Sequence, residues 1–271
     1  VTEDGDTPLY IAAENGHVGV VRELLGYARI NVNQAIGRGF TPLYIAAEKG
    51  HEDVVKLLLE APDINVNQAK RGGYTPLYVA IKNGHSAIAK LIIGKIEKKE
   101  LEETFSLTTI PGSDRIRENE SYLIFAAHCG HLDVVNCLLN KALDVNQMSK
   151  SGASPLYIAA QNGHVEVVSL LLAKRGIEVN QAIEGGFTPL FIASENGHVD
   201  VVNVLLDVTG IDVNQATACG STPLFIASEN GHEDVVRILL GVSEININQS
   251  MEDGSTPLFI ASENGHEDVV R

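Results

Sequence analysis

An eleven-residue phrase, Thr7-Pro8-Leu9-Tyr10-Ile11-Ala12-Ala13-Glu14-Asn15-Gly16-His17, recurs along the chain at a nearly constant interval, and no other feature restricts the possible folds so severely. It starts again at Thr41, Thr75, Ser154, Thr188, Thr222 and Thr256, and in altered form at Ser121. Successive starts are 34, 34, 46, 33, 34, 34 and 34 residues apart. A period in this range denotes a stack of like units. One unit is too small to bury its own apolar face and covers it with its neighbours.

The chemistry of one unit predicts two short helices. Thr7 can accept a hydrogen bond from the free N–H groups of a helix start, and Pro8 stands where its missing N–H costs nothing. Leu9, Ile11, Ala12 and Ala13 form a short helix whose small residues let another helix come close. Asn15-Gly16 stops it, because glycine tolerates the left-handed conformation found at helix ends. A second helix follows, with a helically spaced apolar stripe in the second copy at Val54, Val55, Leu58 and Leu59. Glu52 and Asp53 fall in its first turn, where negative charge suits the helix dipole. Helices this short are not stable alone.

A second phrase connects the units: Val-Asn-Gln at 32–34, 66–68, 145–147, 179–181 and 213–215, with Ile247 replacing the valine in the last instance. A glycine then precedes the next unit, at Gly5, Gly39, Gly73, Gly152, Gly186, Gly220 and Gly254. This combination reads as a tightly turned finger.

On these residues the chain resembles the ankyrin repeat proteins, whose signature is T-P-L-H-x-A at a period of about 33 residues. The resemblance covers essentially the whole chain. It departs at the histidine position, held here by Tyr10, Tyr44, Tyr78, Ile124, Tyr157, Phe191, Phe225 and Phe259. Most copies also carry one extra residue before Val-Asn, as in Pro62-Asp63-Ile64-Asn65. The fold class implied is all-α: an ankyrin-repeat solenoid of stacked helix-turn-helix units with hairpin-like fingers. It would form a single domain over 1–271, with repeats starting near 2, 36, 70, 116, 149, 183, 217 and 251 and an irregular insertion at about 95–116.

The fourth copy is the exception. After Leu91-Ile92-Ile93-Gly94 the chain runs on through the charged, helix-favouring segment 95–103, and Ile92 and Ile96 stand one turn apart, so the preceding helix is expected to extend along the outer edge. Thr104 to Ile116 then reads as loop, turned at Pro111-Gly112. Copy four begins Ser121-Tyr122 without the proline, and Asn119 takes the place of the finger glycine. This junction is expected to be the weakest in the stack and the first cut by protease, within Thr104 to Glu118.

The formal net charge of −15 and pI near 5.0 disfavour a nucleic-acid partner, which requires a basic face. No apolar run is long enough to insert in a membrane, and there is no signal-peptide pattern. Three cysteines, Cys129, Cys137 and Cys219, suit a reducing compartment and an intracellular, cytoplasmic location. The chain has no starting methionine and stops at Val269-Val270-Arg271, inside a second helix, without the polar capping repeats that usually end a solenoid. It reads as a fragment of a longer array, whose uncovered ends would associate end to end.

Several residue sets invite a chemical reading. Eight histidines share one repeat position: His17, His51, His85, His131, His164, His198, His232 and His266. In the family this residue makes structural hydrogen bonds near the start of the second helix, which outweighs a metal or proton role. His128, Cys129, His131 and Cys137 have a zinc-like composition but no C-x-x-C pair, so no metal is expected. The aromatic column led by Tyr10 is read as a ladder between first helices. Recurrent acids such as Glu233-Asp234 are helix-start residues. No activated nucleophile and no phosphate-cradling loop is present, so neither enzyme activity nor a cofactor is expected. The resemblance also implies Asn146 and Asn214 as asparagine-hydroxylation substrates.

The expected function is a non-catalytic scaffold that binds a partner protein in a concave groove; in the family, fingers and first helices line that groove and the residues that vary between repeats make the contacts. The alternative is a regulatory or targeting array of a larger enzyme, channel or effector. A passive spacer is a third reading. The position ending the first helix holds Glu14, Glu195, Glu229 and Glu263 in copies one, six, seven and eight, and Glu48, followed by Lys49, in copy two. Copies three to five hold Lys82, His128 and Gln161 there, so a locally basic stretch is expected across copies two to five. The nearby fingers carry Arg38 and Phe40, then Lys70, Arg71 and Tyr74, then Lys150. The protein-binding residues are therefore expected to be Arg38, Phe40, Arg71, Tyr74, Lys82, His128, Lys150 and Gln161, facing an acidic peptide or loop.

Overall fold

The computed structural model describes residues 6–102 and 121–271, and every structural statement below concerns these. The loop and protease-sensitive segment expected at 104–118, together with Gly5 and Asn119, lie outside them. The chain divides into two compact units, Val1–Leu143 and Asp144–Arg271.

The first unit contains nine helices among its described residues: α1 (Pro8–Glu14), α2 (Val18–Leu25), α3 (Pro42–Lys49), α4 (Glu52–Leu59), α5 (Pro76–Lys82), α6 (Ser86–Lys95), α7 (Lys98–Glu102), α8 (Tyr122–His128) and α9 (Leu132–Asn140). The second unit contains α10 (Pro155–Gln161), α11 (Val165–Leu172), α12 (Pro189–Glu195), α13 (Val199–Leu206), α14 (Pro223–Glu229), α15 (Glu233–Leu240), α16 (Pro257–Glu263) and α17 (Glu267–Val270). Within each unit, first helices stack on first helices and second helices on second, as α1, α3 and α5 do in the first unit and α10, α12, α14 and α16 in the second.

Each first helix starts where the sequence places its cap. The Thr41 side chain accepts from the Tyr44 N–H at 3.0 Å, and Thr75 and Thr188 do the same for Tyr78 and Phe191 at 3.0 and 3.1 Å. Ser121 caps α8 in the same way although Tyr122 replaces the proline. A first helix is enclosed on several sides: Pro42 through Ala47 are all buried, whereas α4 buries only the stripe Val54, Val55, Leu58 and Leu59. The alanines permit this enclosure, since a larger side chain there would hold neighbouring helices apart.

The fingers are one-rung hairpins. Ile36 and Phe40 exchange both backbone hydrogen bonds at 3.0 Å, and this bridge is the single β-type pairing among the described residues. In later fingers Lys70 N–H donates to Tyr74 O, and Thr217 N–H to Ser221 O. Adjacent fingers are joined by Arg71 N–H to Arg38 O and by Ala218 N–H to Gly185 O, each at 2.8 Å.

The expected extension of α6 through 95–103 does not occur. The helix ends at Lys95, Ile96 is extended (φ −92°, ψ 138°), and α7 begins at Lys98. Ile96 at the break and Leu101 in α7 are both buried, 2% and 0% exposed. Lys141 secures the break by donating to the Ile96 carbonyl at 3.2 Å. Within the first unit α8 lies beside α5 and α9 beside α6, so stacking resumes after the insertion.

Candidate protein-binding face

In the first unit the aromatic column and the fingers meet in two sets of ring contacts, with the Lys70 ammonium between them. Phe40, on its finger, meets Tyr44 of α3 edge to face with ring centroids 5.5 Å apart. Tyr74, on the next finger, lies 5.1 Å from Tyr78 of α5, and Tyr78 stacks on Phe125 of α8 at 4.5 Å with the planes 9° apart. The Lys70 ammonium is held among three rings, 4.6 Å from Phe40, 5.1 Å from Tyr74 and 5.2 Å from Tyr44. Phe40, Lys70 and Tyr74 are half-buried, while Arg38, Arg71 and Lys82 are exposed. Lys82 stands one turn after Tyr78 on α5, and the half-buried His128 ends α8 one turn after Ile124, so both continue the face that carries the rings. Tyr44 OH sits 3.4 Å from a Glu48 carboxylate oxygen. Burial first, and this carboxylate second, push the Tyr44 phenol well above its ordinary pKa.

Of the eight expected residues, the structure draws Arg38, Phe40, Arg71 and Tyr74 together through the bond between fingers and the rings around Lys70. Lys150 and Gln161 belong to the second unit. Lys150 is exposed on its finger, and the Gln161 carbonyl accepts from His198 Nε2 at 3.0 Å. That unit has its own aromatic contact, Phe187 against Phe191 at 5.2 Å. Its first helices end in Glu195 and Glu229, and the carboxyl of Glu195 titrates above its ordinary range because of burial and then the charge of Glu229. Phe125 was not anticipated as part of the face. Its only signal is an aromatic at the position held elsewhere by Ile or Val, as at Ile45 and Val79.

The histidine position is structural. His51 Nε2 donates to Glu14 O at 2.9 Å, His85 to Glu48 O at 3.2 Å, His232 to Glu195 O at 2.9 Å and His266 to Glu229 O at 2.8 Å. The acceptor is always at the end of the previous repeat's first helix, its last residue or, for Glu48, the one before, so the ring fastens repeat to repeat. It does not cap its own second helix by its side chain. The aromatic column is likewise packed inside: Tyr44, Tyr78, Phe191 and Phe225 are 2–3% exposed.

The asparagine of Val-Asn-Gln forms a second ladder. Asn33 donates to Asp63 O at 2.6 Å and accepts from Asn65 N–H at 2.8 Å. Asn146 grips Gly176 O and Glu178 N–H, and Asn214 grips Glu244 O and Asn246 N–H, at 2.7–3.0 Å. At the irregular junction the Asn67 amide donates instead to the Glu100 carboxylate of α7 at 3.0 Å.

Among the described residues, no group of three or more His, Cys, Asp or Glu side chains is arranged to hold a metal ion. No described helix is long and apolar enough to cross a membrane. Cys129 and Cys137 are half-buried and Cys219 is exposed.

Stacked helix pairs joined by hairpin fingers, with a repeating histidine staple, define a helical-repeat binding protein. The family described as "Ankyrin repeats (3 copies)" matches the chain over residues 1–70, 30–104, 96–183, 123–217 and 190–271, and the chain belongs to that family. Its members' repeats mediate protein–protein interaction. Among individual proteins the chain is similar to "Probable E3 ubiquitin-protein ligase XBOS33" of Oryza sativa subsp. japonica, 49% identical over 55 residues, which is 20% of this chain and 11% of that protein. It is also similar to "60 kDa lysophospholipase" of Mus musculus, 41% identical over 49 residues, which is 18% of this chain and 9% of that protein. The matched stretch thus spans about a tenth of each relative.

Proposed function

We propose that this chain is a non-catalytic, intracellular protein-binding module whose first unit receives an acidic segment of a partner protein. The carrying observation is the two sets of rings, Phe40–Tyr44 and Tyr74–Tyr78–Phe125, that meet at Lys70, together with the exposed cations Arg38, Arg71 and Lys82. Aromatic and arginine side chains supply most binding energy at protein interfaces, and exposed cations steer an acidic partner and fix its register. In the second unit α12, α14 and α16 end in Glu195, Glu229 and Glu263, which would repel such a segment. Glu48, beside this face, instead accepts from the Tyr44 hydroxyl and is followed by Lys49, so the binding is local to the first unit's face.

A second reading has one supporting observation. The relatives are named as enzymes but match over only about a tenth of their lengths, which fits an array that targets or regulates chemistry encoded elsewhere.

Selection from a displayed library of random peptides tests the first reading. Binders enriched in Asp and Glu are expected, weakened by Arg71→Glu with Lys82→Glu and little changed by Glu229→Lys with Glu263→Lys. The opposite ranking would move the site to the acidic second unit.

A further inference from the structure

Lys70 is the one finger residue whose charge is built into the fold. The equivalent positions of the other described fingers hold Ile36, Ser149, Ile183, Thr217 and Met251, none of them charged. The chain has 35 acidic residues against 20 Lys and Arg, and three of its other lysines pair with carboxylates. Lys56 pairs with Glu52 and Asp53, Lys90 with Asp133 and Lys98 with Glu102. Lys70 is different. Among the described residues no carboxylate lies within ion-pair distance of it, and its ammonium is instead surrounded by Phe40, Tyr44 and Tyr74. The nearby Glu48 carboxylate is directed to the Tyr44 hydroxyl.

Ring faces attract a cation but leave most of its N–H donors without an acceptor. They also immobilise it. The Lys70 backbone is held by its hairpin bond to Tyr74 O, and the finger before it is so close that a Cβ on Gly39 would lie 3.0 Å from Lys70 Cα. An exposed lysine loses rotamer freedom when it binds, and a preorganised one has already lost it.

Resting on the reading of this face as a binder of acidic segments, we propose that Lys70 is its fixed cationic anchor. It takes a side-chain carboxylate of the partner in a charge-assisted hydrogen bond, while Phe40, Tyr44 and Tyr74 hold the ammonium in place. Arg38, Arg71 and Lys82, being exposed, guide the approach and contribute less to affinity.

The test uses the whole chain and two fluorescein-labelled, C-terminally amidated peptides, one of repeated Glu-Leu-Gly and one of repeated Lys-Leu-Gly, read by fluorescence anisotropy. Lys70→Met is expected to weaken the acidic peptide roughly tenfold, the scale of one hydrogen bond to a charged group. Arg71→Met should cost about two- to threefold, as for an exposed pair. Lys70→Arg, which keeps a cation among the rings, should stay within about twofold of the native chain. Phe40→Leu should weaken binding in the native chain but add nothing to Lys70→Met, because it acts by releasing the ammonium. Urea midpoints of all variants report whether the fold is kept.

If Lys70→Met leaves binding unchanged while Arg71→Met or Lys82→Met weakens it, the anchor is overturned and the acidic-segment reading stands. If the native chain does not prefer the acidic peptide, both fall together. If Lys70→Met instead gains affinity for the lysine peptide, the rings are a cage for a partner's cation and the anchor is overturned.

Discussion

At the residue scale, the repeat is held by small exchanges between one copy and the next, and the glycine of Asn-Gly-His shows two demands meeting at one atom. Gly197 has φ +69°, and a Cβ there would lie 2.8 Å from Nδ1 of His232, the ring that reaches back to Glu195. Gly210 also has a positive φ, +88°, but a Cβ there would meet nothing within 4 Å. Gly210→Ala should therefore cost only the backbone strain, on the order of 1 kcal/mol. Gly197→Ala should cost roughly 2–4 kcal/mol, because it also displaces the staple. Urea midpoints of the two variants would check this, and equal midpoints would deny the staple its role. The asparagine ladder allows a parallel test. Asn214→Ala removes a donor and an acceptor from the next repeat and should destabilise by about 1–3 kcal/mol in the same assay. Asn214→Asp keeps the acceptor but turns a carboxylate oxygen toward the Glu244 carbonyl, so it should cost at least as much.

Among elements, the junction between α5 and α8 is where the regular pattern fails and other contacts take over. Tyr122 stands where other copies have proline, and its hydroxyl lies 2.7 Å from Oγ1 of Thr75, the cap of α5. The Tyr78–Phe125 stack adds an aromatic contact at the same junction. Tyr122→Phe should lower stability by about 1 kcal/mol, the worth of one hydrogen bond. Tyr122 also gives the junction a pH dependence. Burial raises its phenol from the ordinary 10.0 to about 12, against a smaller lowering by the Thr75 hydrogen bond. The unfolded chain therefore releases the Tyr122 proton at lower pH than the folded one. It binds fewer protons between the two values, and stability must fall as pH rises from about 10 to about 12. Tyr10, raised to about 12 chiefly by burial, adds to the same slope. Denaturant unfolding at several alkaline pH values should show this fall, shallower in Tyr122→Phe. A slope unchanged by the substitution would mean that other groups carry it.

For the whole molecule, covered and uncovered repeats differ sharply at identical sequence. Leu224 and Phe225 are 2% and 3% exposed, whereas their counterparts Leu258 and Phe259 in the last repeat are 59% and 55% exposed. A polypeptide of these 271 residues presents that surface to solvent, and apolar patches of this kind promote association. Sedimentation velocity should show concentration-dependent association, reduced by Leu258→Ser with Phe259→Ser. A monomer at every concentration would argue that the formal charge of −15 keeps the chains apart.

Much of the protein follows from local chemistry. Thr-Pro starts, Asn-Gly stops and apolar stripes at helical spacing specify the two helices of each copy, because capping and amphipathicity act within a few residues. The period alone places copy beside copy, since no unit can bury its face unaided. Tertiary structure decided the rest, wherever a group finds its partner a repeat away. The break at Ile96 pays no regard to the helical propensity of 95–103; there Ile96 and Leu101 are buried and Lys141, 45 residues on, donates to the Ile96 carbonyl. The same distance hides the candidate anchor. Lys70 reads as one more basic finger residue until packing brings Phe40, Tyr44 and Tyr74 around it. Cation–ring attraction depends on separations of a few ångströms between residues up to 30 positions apart, which no local pattern in the chain records.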